Sequence, residues 1–386
     1  MSLYKTIYER ILHRIKYEPE NPESILNFEE AKEAYELSTR DLLFLAGHLR
    51  KYYFQNYVLV HIINNIRNGN CAEDCGYCAQ RNTATGIPTY SLKSEEEILK
   101  EAEIAKQNGA YRYCLVTAGR GINAKMAEKY AEIIKKINEQ IGIKVCLSAG
   151  IITDPESAKI LQEAGLDRYN HNLNTSQNYY DKITTTHTYD DRKKTLEHLS
   201  LHHIGLCSGV IAGIGESIDD LINVGLELNR FNAQSIPVNF FIPVPGHNIK
   251  NYKELSSDEC LKILSLFRLM NPKAEIRMAA GREIYLKEKQ HLGLKVANSL
   301  FVSGYLNVKG SSTYETIKMI YLNGFQLDPD TENTILELRD QILSEVTPDE
   351  FDRMHYALQE MKIELKTIEE LRPFAVHLQK DKKNEA

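Results

Sequence analysis

The chain has 386 residues, 42% of them hydrophobic and 26% charged, with a formal net charge of −6. That composition suits a soluble globular protein and leaves no basic footprint for nucleic acid. No apolar run approaches the ~20 residues of a membrane span, and MSLYKTIYERILHRIKYEPE lacks the apolar core of a signal peptide, so a cytoplasmic location with no membrane partner is expected.

Residues 1–53 carry two helical patterns, one of them running through FEEAKEAYELSTRDLLFLAGHLRKYYF, and are expected to form a helical cap or dimer surface. From 54 to 325, short apolar runs alternate with amphipathic stretches. The candidate strands are 58–66, 111–118, 143–150, 167–173, 205–213, 235–243, 274–281 and 299–306. Helix-start signals fall between them: Ser94 with Glu97 as a capping box, Asp154 before Pro155, then Thr188, Ser217, Ser257 and Ser312. Such repeats predict an α/β fold, a (β/α)8 TIM-type barrel with its active site at the C-terminal ends of the strands. Residues 326–386 are expected as a charged helical extension ending in the polar run QKDKKNEA.

After the first candidate strand, the run CAEDCGYCAQ brings Cys71, Cys75 and Cys78 together. With no export signal, the seven cysteines read as metal ligands or buried thiols rather than disulfides. Thiolates are the soft ligands that iron–sulfur clusters select, and this spacing leaves a four-iron cluster one ligand short, with an open iron for chemistry. A structural zinc site would want a fourth Cys or His within reach, and none follows at a suitable spacing. With Tyr77 just before the last cysteine, the run resembles the signature of the radical S-adenosylmethionine (SAM) superfamily. The resemblance implies a [4Fe-4S] cluster whose unique iron chelates SAM, and a 5'-deoxyadenosyl radical that takes hydrogen from a substrate. The protein then supplies binding, orientation and protection.

Cys114, Cys146 and Cys207 fall in the second, third and fifth candidate strands. A single strand cysteine is commonly a small buried hydrophobe. Three of them in one barrel, where neighbouring strands lie about 4.8 Å apart, can also converge on one inorganic centre. This set is similar to the second cluster site of the biotin synthase family. So are EIRMAAGRE (275–283), YNHNLNTS (169–176), TTTHTYDDR (184–192), CSGVIAGIGES (207–217) and VNFFIPVPG (238–246). Read alone, Arg277 would partner a carboxylate or join a structural ion pair, since a guanidinium offers no acceptor. The resemblance instead makes it a neighbour or ligand of a [2Fe-2S] cluster held by the three strand thiols. Cys260, on a helix outside these runs, reads as packing.

Asn170 and Asn172 alternate with His171, which points both amides to one face of a strand. The resemblance implies that Asn170 and Asn239 bind dethiobiotin, whose cyclic urea presents donors and an acceptor that an amide can pair. It also places Tyr77, Asn172, Asn174 and His187 beside SAM. Asn174 departs from the family's YNHNLD pattern, in which an aspartate accepts from the SAM ribose hydroxyls. An amide there keeps one acceptor oxygen and no charge. For His187 a solvated loop position is an equally open reading. His198, His202 and His203 read as a surface group.

The implied activity is insertion of sulfur between C6 and C9 of dethiobiotin to give biotin, with flavodoxin or ferredoxin as reductant and a homodimer as the assembly. One rival is a radical SAM enzyme acting on another small molecule, against which the strand cysteines and Arg277 discriminate. The other is a non-catalytic cluster carrier, which would bind iron yet never yield 5'-deoxyadenosine.

Overall fold

The structure is a computed structural model that describes residues 2–82, 86–302 and 310–370. Its centre is a closed barrel of eight parallel strands: β1 Tyr57–Arg67, β2 Arg112–Thr117, β3 Lys144–Ser148, β4 Arg168–Asn170, β5 in two pieces (Gly205–Cys207 and Val210–Ala212), β6 Ser235–Phe240, β7 Glu275–Met278 and β8 Ser299–Phe301. Each strand pairs with the next, and β8 closes on β1 at Leu59↔Ser299. The run 303–306 of the eighth candidate strand lies outside the described residues. β5 breaks at Ser208 and Gly209 because the chain presses against β6 there: a Cβ on Gly209 would stand 1.9 Å from the Pro237 carbonyl oxygen.

The helices start where the capping residues place them. Ser94, Thr188 and Ser217 each form a reciprocal capping box, and Asp154 accepts from the Ser157 amide ahead of Pro155. One start differs by a residue. The cap of Ser257–Met270 is Ser256, which accepts from the Glu259 amide, whereas the Ser257 hydroxyl donates 2.6 Å to the Tyr285 carbonyl. The N-terminal segment holds three helices rather than two, Leu3–Tyr17, Phe28–Tyr35 and Thr39–Phe54. Ser38 splits the long pattern because its side chain accepts from the Asp41 amide and starts a new helix.

These helices are fastened to the barrel's outer ring by two buried guanidiniums that donate to backbone carbonyls. Arg50 reaches Tyr57 at 2.8 Å, and Arg268 reaches Ala274 at 2.6 Å while its plane covers the Phe54 ring. At the other end, Leu336–Glu345 and Pro348–Glu370 bury Ile342 and Met361 and form ion pairs from Glu350 to Lys318 (3.0 Å) and from Glu364 to Lys51 (2.5 Å). The eight strands close without this extension. Deleting the chain after residue 330 is therefore expected to leave a folded barrel whose melting midpoint falls by a few degrees, because only a few buried apolar side chains are lost. Circular dichroism and gel filtration check this; aggregation or loss of the barrel would make the extension part of the core.

Candidate functional site

The cysteine loop leaves the C-terminal end of β1, where such barrels concentrate chemistry. Backbone bonds tie it on both sides: Cys71 N–H to Gln80 at 2.9 Å, Gly76 N–H to Ile183 at 2.8 Å, and Asn248 N–H to the Gly76 carbonyl at 2.7 Å. Asp74 adds a clasp, accepting from the hydroxyls of Thr184 (2.6 Å) and Thr185 (2.5 Å). Burial opposes its ionisation, but these hydroxyl and amide donors outweigh it and hold its pKa well below the usual carboxylate range.

All three loop cysteines line a cavity of ≈ 270 Å³ at the barrel mouth, together with Asn170, Asn172, Asn174, His187 and Asn239. None forms a disulfide. Burial pushes the Cys78 thiol up to about 12, so it stays protonated until an electropositive group displaces the proton.

The opposite wall is cationic. Arg192 donates to the Asn172 carbonyl at 2.8 Å and to the Tyr77 hydroxyl at 3.4 Å, and its Nη2 lies 3.0 Å from His187 Nε2. Arginine can only donate, so Nε2 accepts, and the proton of the imidazole is on Nδ1, facing Glu73. Burial and the neighbouring Arg192 both lower the His187 pKa, which keeps the ring neutral. His187 is thus buried rather than solvated, and it bridges Glu73 to Arg192. Buried fixed positive charge on this wall comes from Arg192, which sequence reasoning did not single out, and the more exposed Arg120 lines the same cavity 3.8 Å from Glu73. A signal was present: an arginine in the opening turns of Tyr189–Leu201, where the helix dipole favours acids such as Asp190 and Asp191.

Deeper in the barrel, Cys114 and Cys146 are register partners on β2 and β3, and Cys207 aligns with Asn170 and Ser235. The three thiols pack with Ala279 and Phe301 into one buried group, in which Cys146 hydrogen-bonds to both other thiols. Arg277 reaches the group from β7: Nη1 is 3.6 Å from the Cys207 sulfur, and the buried Nε has no partner. Arg277 also makes the ion pair expected from sequence alone, with Glu275. Burial opposes its charge, yet Glu275 outweighs that and raises its pKa, so it stands as a charged donor toward sulfur. Among the described residues, no group of three His, Cys, Asp or Glu side chains converges as a single metal ion requires. A zinc ion would draw thiolates to about 2.3 Å from one point; a polynuclear cluster takes a wider set, and the buried thiols with an unpaired N–H beside them suit one.

Asn170 lines the cavity of the loop cysteines and touches the strand thiols. Its Nδ2 is 3.2 Å from the Cys207 sulfur and 3.3 Å from Asn172 Oδ1, and its own oxygen accepts from Ser148 at 3.4 Å. Asn239 is held at both ends by backbone, donating to Val210 (3.0 Å) and accepting from Ala280 (3.2 Å). One N–H and one lone pair of its amide remain for a ligand. Cys260 is wholly buried in its helix and packs, as expected.

Two family profiles match the chain: the radical SAM superfamily over residues 65–226, and the Biotin and Thiamin Synthesis associated domain over 237–326. Biotin synthase of Leptospira interrogans (serovar copenhageni, strain Fiocruz L1-130) is 55% identical over 277 residues, which are 72% of this chain and 79% of that protein. Biotin synthase of Leptospira biflexa is 52% identical over 300 residues, 77% of this chain and 85% of the other. The chain belongs to the biotin synthase family. Among solved structures, the FeFe-hydrogenase maturase HydG from Carboxydothermus hydrogenoformans superposes with a TM-score of 0.73 at 16% identity, covering 96% of this chain and 98% of its own. Methylornithine synthase gives 0.66 at 19%, covering 92% and 100%. Those likenesses concern the fold alone.

Asn174, the departure from the family pattern, is buried in a left-handed backbone conformation that asparagine and aspartate both tolerate, and its Nδ2 donates to the Tyr77 hydroxyl at 2.7 Å. In Asn174→Asp the tyrosine becomes the donor, and a carboxylate oxygen is left for a ribose. SAM is expected to bind more tightly, within the roughly 1.5–3 kcal/mol of a hydrogen bond to a charged group less its desolvation. Equal or weaker binding in an equilibrium titration would show that the side chain does not serve the ribose.

Proposed function

We propose that the chain makes biotin from dethiobiotin by radical sulfur insertion, with Cys71, Cys75 and Cys78 holding a [4Fe-4S] cluster and Cys114, Cys146 and Cys207, beside Arg277, holding a [2Fe-2S] cluster. When bound, the first group with SAM supplies a 5'-deoxyadenosyl radical, and the second supplies sulfur. The observation that carries this reading is the presence of two thiol sets in one barrel, with Asn170 lining the cavity of the first and touching Cys207 of the second.

The remaining residues bind and orient. Arg192, directed by the neutral His187, offers its charge to the SAM carboxylate. Tyr77, Asn172 and Asn174 form the adjoining polar wall for the nucleoside. Asn170 and Asn239 present amides to the cyclic urea; since backbone already fixes Asn239, little rotamer entropy is lost on binding. Enclosure of the substrate between the two thiol sets keeps a carbon radical away from solvent. Among the described residues no helix is long and apolar enough to cross a membrane. A cytoplasmic homodimer reduced by flavodoxin or ferredoxin completes the proposal.

The test is an anaerobic assay of the reconstituted chain with SAM, dithionite and dethiobiotin. Biotin should form, with 5'-deoxyadenosine and bleaching of the second cluster. SAM cleavage that dethiobiotin neither accelerates nor converts into sulfur transfer would point to another small substrate. Iron binding without 5'-deoxyadenosine would point to a carrier.

A further inference from the structure

Behind Arg277, on the side away from the thiols, lies a buried ionic group that the reading above does not use. Glu275 precedes Arg277 by two residues on β7, so both side chains enter the barrel on one face. Its Oε1 contacts Arg277 Nη2 and lies 2.8 Å from His61 Nε2; its Oε2 takes Arg168 and, at 3.3 Å, Arg112. Arg112 is anchored in turn to Asp167 at 2.6 Å. Glu275 is 3% exposed and is the carboxylate on which these three arginines meet.

The distribution of contacts on Arg277 is one-sided. Both N–H bonds of Nη2 are taken, by Glu275 and by the Ser235 hydroxyl at 2.8 Å, while His61 Nε2, 3.3 Å away, donates to Glu275. Nη1 faces Cys207, and Nε is unpaired. A guanidinium is a rigid planar fork, so pinning one terminal nitrogen fixes where the other two N–H edges point. The Phe301 ring, 5.0 Å away, supports the plane but offers no directional bond that would stop it turning. We propose that Glu275 is a positioning residue: held by Arg168, Arg112 and His61, it locks Arg277 Nη2 and so aims Nη1 and Nε at the second cluster. The inference rests on the reading of the strand thiols as cluster ligands.

The test uses the full chain, anaerobically loaded with iron and sulfide, and compares Glu275→Gln in the wild-type and Arg277→Ala backgrounds. The readouts are the visible spectrum of the second cluster and the rate at which a chelator removes its iron, with the melting midpoint and SAM cleavage in the same sample reporting an intact barrel. Loss of a partner behind a ligand-facing group is expected to speed iron loss roughly tenfold or more and to shift the spectrum, with no further change once Arg277 is alanine. An effect within about twofold, or one equally large without Arg277, overturns the positioning role. If Glu275→Gln does not fold, Ser235→Ala, which removes the second anchor on Nη2 without stranding a charge, carries the same readouts: faster iron loss supports the proposal and an unchanged rate overturns it. A wild-type chain that takes up only the loop cluster overturns the functional reading as well; a normal second cluster indifferent to Glu275 overturns the positioning role alone.

Discussion

Replacing Cys71, Cys75 or Cys78 with alanine is expected to abolish SAM cleavage in each single variant. The three line one cavity at the end of β1, on a loop fixed by Gln80, Ile183 and the Asp74–threonine clasp, so no fourth thiol of that wall can substitute. The strand cysteines are on β2, β3 and β5, in the separate buried group below. Loss of one thiolate from a three-thiolate cluster removes the electron source itself, and 5'-deoxyadenosine should fall to background under dithionite. Retained production in any of the three would overturn the assignment of the loop.

Replacing Cys114, Cys146 or Cys207 with alanine is expected to have a different outcome: 5'-deoxyadenosine persists while biotin disappears. These thiols do not line the cavity; Asn170, which does, contacts Cys207. Cys146→Ala should be the most severe for iron uptake, because Cys146 contacts both other thiols. Iron per chain, together with separate quantification of the two products, makes the comparison. Full biotin yield in all three variants would reduce the thiols to core packing.

The barrel was legible because most strands are short apolar runs followed by a side-chain helix cap, and local signals of that kind survive in the linear chain. The N-terminal helices were legible only in part, since a periodic stretch conceals a break at Ser38 that depends on one side chain turning back to cap. The site divides in the same way. Cysteines announce themselves by residue type and spacing. Arg192, Glu73 and the Thr184–Thr186 clasp did not, because their partners lie far away in sequence: Glu73 meets His187 and Asp74 meets Thr185 only once the barrel closes. Glu275 and His61 were hidden for the same reason, appearing in the sequence as polar interruptions of two apolar strands. For Arg277, residue chemistry pointed to an ion pair and only the resemblance to a cluster; the structure has the ion pair, with Glu275, and sets the other end of the guanidinium 3.6 Å from the Cys207 sulfur.

The central claim is that the strand thiols hold the sulfur that enters the product. Its most direct measurement is a single turnover by chain whose second cluster has been built with heavy-isotope sulfide, followed by mass analysis of the biotin formed. The account predicts biotin carrying the label, and none from the Cys146→Ala chain treated alike. Unlabelled biotin from a chain whose labelled cluster remains intact would contradict it.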